Sequence, residues 1–220
     1  MPISEAVRST PCEVRTVAEG ETDGKSGAPG AGRLEGLMAA ASAAGGRGPA
    51  PVELWNPPDC GDLDMRIARD GTWFYGGTPI GRPALVRLFA SVLTREGERF
   101  VLKTPAEKVG IRVDDAPFLA VDMAREEAEG GDVLVFRTNL DEVVRCGEGH
   151  DLRFAPGEGE GEVVPYLHVR RGLEARLTRA VFMELADAGE VRAVEGRPMF
   201  GVASAGRFYP MMPAAQLEMS

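Results

Sequence analysis

Apolar positions along the 220-residue chain recur with two periods, and each change of period marks an element. Leu34, Leu37, Met38 and Ala41 fall at i, i+3, i+4 and i+7, which predicts a short helix over 33–44 that Gly45-Gly46 ends. Pro49 and Pro51 then make an extended linker. Residues 65–69 and 72–75 flank Asp70-Gly71, a strong short-range hairpin signal. Gly76-Gly77-Thr78-Pro79 breaks the second strand. A helix follows with Pro83 in its first turn, the stripe Leu85, Leu88, Phe89, Val92 and Leu93, and Gly97 as its stop. Strands are expected at 99–103, 108–113, 118–123, 132–138 and 142–146. Beyond a Gly/Glu stretch at 157–161 the plan returns. A strand at 165–170 leads into a helix from Leu173 to about Ala188, with Leu173, Leu177, Val181 and Leu185 in one row. Short strands follow at 191–194, 198–203 and 207–210.

The two halves can be laid on each other: Leu85 on Leu177, Arg87 on Arg179, Phe100 on Val191, Val109 on Phe200 and Phe118 on Phe208, with every offset between 90 and 92. The expected fold class is therefore α+β, a duplicated helix-plus-three-strand unit with antiparallel sheets. The expected organisation is a disordered tail at 1–32, a short helix and Pro-containing linker at 33–54, a first α+β domain at 55–156, a second at 157–212 repeating the first, and a flexible C-terminus at 213–220. No aromatic residue precedes Trp55, and 19–32 is Gly, Ala, Pro, Ser and charge, too little apolar surface to offset the entropy of ordering.

Composition narrows the partners. An apolar fraction of 44% suffices for a core, while a net charge of −9 argues against general nucleic-acid binding, which needs clustered Lys and Arg. Cys12, Cys60 and Cys146 are odd in number and far apart, matching neither a disulfide framework nor C-x-x-C metal spacing. No apolar run approaches the roughly 20 residues that span a bilayer, and residues 1–20 lack an apolar signal-peptide core. A cytoplasmic protein without cofactor or metal, and without a membrane partner, is the expectation.

Three segments carry candidate chemistry. On a strand Asp62, Asp64 and Arg66 share a face, two carboxylates beside a guanidinium that could hold a divalent cation or orient a polar ligand, or else form a structural ion pair. Trp73 and Tyr75 share a face opposite Phe74, and aromatic rings near Arg66, Arg69 or Arg82 could stack on a ligand ring or simply pack in the core. The run 76–82 is a glycine-rich turn opening a helix, able to cradle an anion, with Thr78 as a helix cap in the bland alternative; Arg82 at the helix start would welcome a negative neighbour. In the second half Tyr166, His168 and Arg170 project opposite Leu167 and Val169.

The run from Trp55 to Ile67 (WNPPDCGDLDMRI) resembles the start of the bacterial domain-of-unknown-function 1285 family. Similar to the same family are Asp70–Tyr75 (DGTWFY), Thr78–Arg82 (TPIGR), Thr104–Ile111 (TPAEKVGI), and Tyr166–Arg170 (YLHVR) with Gly172-Leu173-Glu174. The resemblance covers about residues 34–211. It implies a domain-duplicated α+β fold with a C-terminal half loosely like a pleckstrin-homology barrel, a part in signalling, and a ligand site between the halves; it implies no activity and no catalytic residue. Together with the residues, it favours a non-enzymatic domain for a small anionic ligand, a nucleotide-like one included. Its binding residues would be Asp62, Asp64, Arg66, Trp73, Tyr75, Arg82, Tyr166, His168 and Arg170. A hydrolase or transferase using Asp62/Asp64 and a structural or protein-interaction module are the competing readings, and a homodimer is compatible with all three.

Overall fold

Alternating burial along the strands and a buried stripe on each helix generate a mixed α+β fold, seen in a computed structural model that describes residues 31–44, 48–159 and 161–219. Contacts divide the chain into two units. The first runs to Arg112 but without Ile67–Thr72, which belong with Val113–Ser220 to the second. Most of the tail expected at 1–32 lies outside the described residues.

In the first unit, helix α1 (Ala31–Ala44) buries Leu37 and Ala41, two of the four residues of the predicted stripe. A 3-10 turn (Val52–Leu54) stands where the linker was expected, and the Ala50 N–H donates to the Ser91 carbonyl at 3.0 Å. Strands β1 (Asp59–Ile67), β2 (Trp73–Tyr75) and β3 (Thr78–Pro79) precede helix α2 (Pro83–Ser91), against which α1 packs. Strands β4 (Leu93–Glu96), β5 (Arg99–Lys103) and β6 (Lys108–Val113) complete a sheet of order β3-β2-β1-β6-β5-β4.

Two expectations change here. Helix α2 stops at Ser91, and Leu93 opens β4, pairing with Leu102 across a turn in which Gly97 has φ 62°. Val92 and Leu93 are fully buried, and a short apolar run suits a helix end as well as a strand start. Gly76 and Gly77, at φ 52° and 74°, form the two-residue loop of the β2–β3 hairpin, in which Tyr75 faces Thr78. Two consecutive left-handed residues suit a hairpin whose twist follows its strands. Thr78 is thus a strand residue; the α2 N-cap is Arg82, whose side chain makes no capping bond.

The second unit begins with β7 (Phe118–Glu126), β8 (Val133–Thr138), β9 (Val143–Arg145), β10 (Leu152–Pro156), β11 (Val163–Arg170) and β12 (Leu173–Leu177). Their sheet order is β10-β11-β12-β7-β8-β9. All its pairings are antiparallel except β7 with β12, which is parallel and departs from the all-antiparallel expectation. Parallel neighbours need a long connection, and here β8 to β11 intervene. The Gly/Glu stretch expected to divide two domains instead joins β10 to β11, where Pro156 faces Val163.

Leu173–Leu177, expected in a helix, is strand β12 with strict alternation of buried and half-buried residues. Leucines four apart satisfy a period of two as well as 3.6, and Thr178 then caps helix α3 (Arg179–Asp187), accepting from the Val181 N–H. Strands β13 (Glu190–Val194), β14 (Arg197–Ser204) and β15 (Arg207–Pro213) form an antiparallel three-stranded sheet, and a 3-10 turn (Ala214–Met219) occupies the C-terminus expected to be flexible.

Both units therefore carry a helix followed directly by a three-stranded antiparallel meander, α2-β4-β5-β6 and α3-β13-β14-β15. Corresponding elements start at 83 and 179, 93 and 190, 99 and 197, and 108 and 207, so the offset is 96 to 99. The pairs expected at 90 to 92 slip by one strand: Phe100 lies in the second meander strand and Val191 in the first, while Phe118 lies in β7 and outside the meander. The slip follows from β4, because the apolar pair Val92-Leu93 at its start also fits the end of a helix.

Gly201 sits at a bulge of β14 against β15. A Cβ there would collide with the Tyr209 carbonyl and lie 2.8 Å from Pro210 Cα. Gly201→Ala is expected to destabilise the protein by about 1–3 kcal/mol, the usual effect of overpacking. A urea titration would read this as a lower midpoint with unchanged slope.

Candidate functional site

Strand β1 places the first candidates as its period requires. Leu63, Met65 and Ile67 are buried, and Asp62, Asp64 and Arg66 lie on the opposite face. Asp62 is engaged by Arg99, whose Nη2 donates to its carboxylate at 2.6 Å while Nη1 donates to Asp59 at 2.6 Å. Arg99, followed by the Gly61 N–H, holds the Asp59 carboxyl below its ordinary range. A Cβ at Gly110 would enter this ion pair, so glycine is what lets the Arg99 side chain cross β6. The Arg66 guanidinium lies 4.5 Å over the Phe74 ring. Asp64, Arg66, Phe74 and Arg112 line a polar cavity of about 220 Å³.

Trp73 is 1% exposed and stacks on Phe89 with centroids 6.3 Å apart, so it is a core residue. Tyr75 is half-buried on the same strand, and Arg82 is exposed ahead of α2.

In the second unit Tyr166, His168 and Arg170 do project opposite the buried Leu167 and Val169. Each is fastened by its neighbours. Tyr166 Oη donates to Asp115 at 2.8 Å, and Arg153 lies 4.3 Å over its ring. Burial, then the Asp115 carboxylate, pushes the phenol up to about 12. The Gly149 carbonyl can only accept from His168 Nδ1 (2.6 Å), and the Gly172 N–H can only donate to its Nε2 (3.3 Å), which fixes the hydrogen on Nδ1. Arg170 forms a bidentate pair with Glu142, at 2.6 and 3.1 Å, above the Phe118 ring.

A larger cavity, about 650 Å³, opens at the start of α3. Its walls are mainly apolar: Leu119 from β7, Val163 and Pro165 from β11, Phe182 and Met183 from α3, and Met212 from β15. Three guanidinium-bearing residues border it, Arg69, Arg176 and Arg179, with Glu162 and the α3 cap Thr178. A second, polar cavity of about 250 Å³ shares Arg69, Arg176, Glu162 and Val164 with the first and adds Asp115, Glu158 and Tyr166. Arg176 donates to Asp115 at 2.9 Å, a pair shielded from solvent, whereas Arg69 meets Glu158 at 3.1 Å in the open. Arg179 is exposed and unpaired among the described residues. The aligned peptide dipoles of α3 add positive potential at its first turn.

Of the nine expected residues, this pair of cavities includes Tyr166, while Asp64 and Arg66 line the small cavity of the first unit. Arg69 entered the sequence reading as a neighbour of aromatic rings. Arg176 and Asp115 are not among the expected site residues, and Arg179 stands in the sequence reading only as the expected repeat partner of Arg87. The signal for Arg176 was the alternation Leu173-Ala175-Leu177 with polar residues between, hidden when the segment was read as a helix. Among the described residues no three His, Cys, Asp or Glu side chains converge at metal-binding distance, and no helix is long and apolar enough to cross a membrane.

Comparison with known families agrees with this division of the chain. Residues 50–116 match the domain of unknown function DUF1285, N-terminal domain, and residues 117–211 match the protein of unknown function DUF1285, C-terminal domain. The chain is 54% identical to a DUF1285 family protein from Silicibacter pomeroyi DSS-3, over 83% of this chain and 97% of that one, and the crystal structure of that protein matches with a TM-score of 0.75. A DUF1285 family protein from Shewanella baltica OS155 is 28% identical over 57% of this chain and 91% of that one, with a TM-score of 0.46. No curated protein matches.

Proposed function

The chain belongs to the DUF1285 family of proteins of unknown function, and we propose that it is a small-ligand-binding domain whose second unit holds a ligand with an anionic group. The observation that carries this is the convergence of Arg69, Arg176, Arg179 and the start of α3 on one apolar-walled cavity. Its volume lies within the range of about 300–1,000 Å³ usual for small-molecule sites. Guanidinium groups offer fixed forks of donors to a carboxylate or phosphate, and apolar walls lower the local dielectric and strengthen that attraction. Binding of this kind needs no bond making, so the domain acts as a receptor for its ligand. The competing hydrolase or transferase reading needs Asp62 and Asp64 as a working pair, yet Arg99 engages Asp62 together with Asp59.

Thermal shift of the full chain against inorganic phosphate, adenosine monophosphate and a set of carboxylates tests the proposal. At least one anion is expected to raise the melting temperature. Arg179→Gln, at an exposed position without a partner among the described residues, is expected to weaken that anion about tenfold, the value of one charge-assisted contact. A flat response to every anion, or an affinity that ignores Arg179→Gln, would remove the reading.

A further inference from the structure

We infer that the ligand is a monoanionic amphiphile, an unbranched acyl chain ending in a carboxylate, an inference that rests on the anion-binding reading above. Charge balance selects the head. Three guanidinium groups border the two cavities, Arg69 and Arg176 both of them and Arg179 the larger, and so do three carboxylates, Glu162 both of them and Asp115 and Glu158 the smaller. A single negative charge gains from the arginines. A second or third charge on the same head is brought against neighbouring carboxylates, which disfavours a polyphosphate or nucleotide head.

The walls select the tail. Leu119, Val163, Phe182, Met183 and Met212 form a lining several times the size of a carboxylate and offer no hydrogen bond to a second polar group. Two of the five are methionines, whose unbranched thioethers adapt to a flexible chain. Met183 is 56% exposed although it borders the cavity. An exposed methionine on the outward side of α3 is costly to hydration and is covered when a tail reaches it.

Titration calorimetry of the full chain with butanoate, octanoate and dodecanoate, against inorganic phosphate, adenosine monophosphate and octanol, tests the inference. Affinity is expected to rise about fourfold per added methylene, which is ~0.8 kcal/mol per buried CH₂. Octanoate should exceed octanol at least tenfold, and Arg179→Gln should erase most of that difference. Met183→Ser, at an exposed position that spares the fold, should weaken dodecanoate several-fold and leave butanoate unchanged. Phosphate or the nucleotide binding as tightly as octanoate, with dependence on Arg179, would overturn the amphiphile while leaving the anion site standing. Equal affinity for octanol and octanoate would overturn the carboxylate head, and equal affinity across chain lengths the tail. No Arg179-dependent anion of any kind would overturn both this inference and the reading beneath it.

Discussion

Trp73→Ala is expected to destabilise the first unit by about 3–5 kcal/mol, the range for deleting a large aromatic side chain from a packed core. Trp73 is 1% exposed, stacks on Phe89 of α2, and stands on β2 next to β1 in the sheet. Its removal strips contacts from both the helix and the sheet that the helix covers. Partial collapse would recover little, because Phe89, Met65 and Ile67 are fully buried and fixed by their own elements. Trp73→Phe separates volume from chemistry. The Trp73 Nε1–H is buried without an acceptor among the described residues, so phenylalanine removes an unsatisfied donor while keeping a ring against Phe89. That variant should cost less than about 1.5 kcal/mol. Far-UV dichroism during urea unfolding measures both, and an alanine variant within 1 kcal/mol of the parent, a bound well under the ~3 kcal/mol expected, would show that Trp73 is not a core anchor.

Ser204→Ala, one of the smallest changes available, is expected to destabilise the second unit by about 2–4 kcal/mol. Ser204 is fully buried at the end of β14. Its Oγ accepts from the Leu134 N–H of β8 at 2.9 Å and donates to the Cys146 carbonyl, just beyond β9, at 2.7 Å. One hydroxyl therefore joins the three-stranded sheet to the six-stranded sheet. Nearby, the Ala205 N–H donates to the Asp132 carbonyl at 2.9 Å, and Tyr209 Oη donates to Asp151 at 3.2 Å. Alanine leaves a buried N–H and a buried carbonyl unpaired, at about 1–3 kcal/mol each before relaxation. Hydrogen exchange gives a readout that general destabilisation does not imitate: the Leu134 amide should lose protection beyond the global loss. Leu134 protection tracking the rest of β8 would show that water or a backbone shift replaces the hydroxyl.

The helices and most strands were legible because they repeat simple periods. The stripe in α1, the Asp70-Gly71 turn between β1 and β2, and the alternation on β11 all stand where the residues put them. The two misplaced helix boundaries share one cause. At Val92-Leu93 and at Leu173–Leu177 the apolar residues fit a helix and a strand equally well. Pairing partners decided between them: Leu102 for Leu93, and Ala175 against both Leu167 and Phe118. Gly76-Gly77 was legible as a turn, but that it closes the β2–β3 hairpin depends on Thr78 finding Tyr75.

By itself the sequence determined the fold class, the presence of a helix and meander in each half, and which face of β1 and β11 is polar, since side-chain period is a local property of the backbone. Tertiary structure alone decided the strand order, the parallel meeting of β7 with β12, and the offset at which the halves correspond, because those depend on contacts between residues far apart in the chain. It also decided the candidate site. Arg69, Asp115 and Arg176 come from three separate segments, and only the closure of the second unit gathers them beside one cavity, where their charges act on each other and on a ligand at short range.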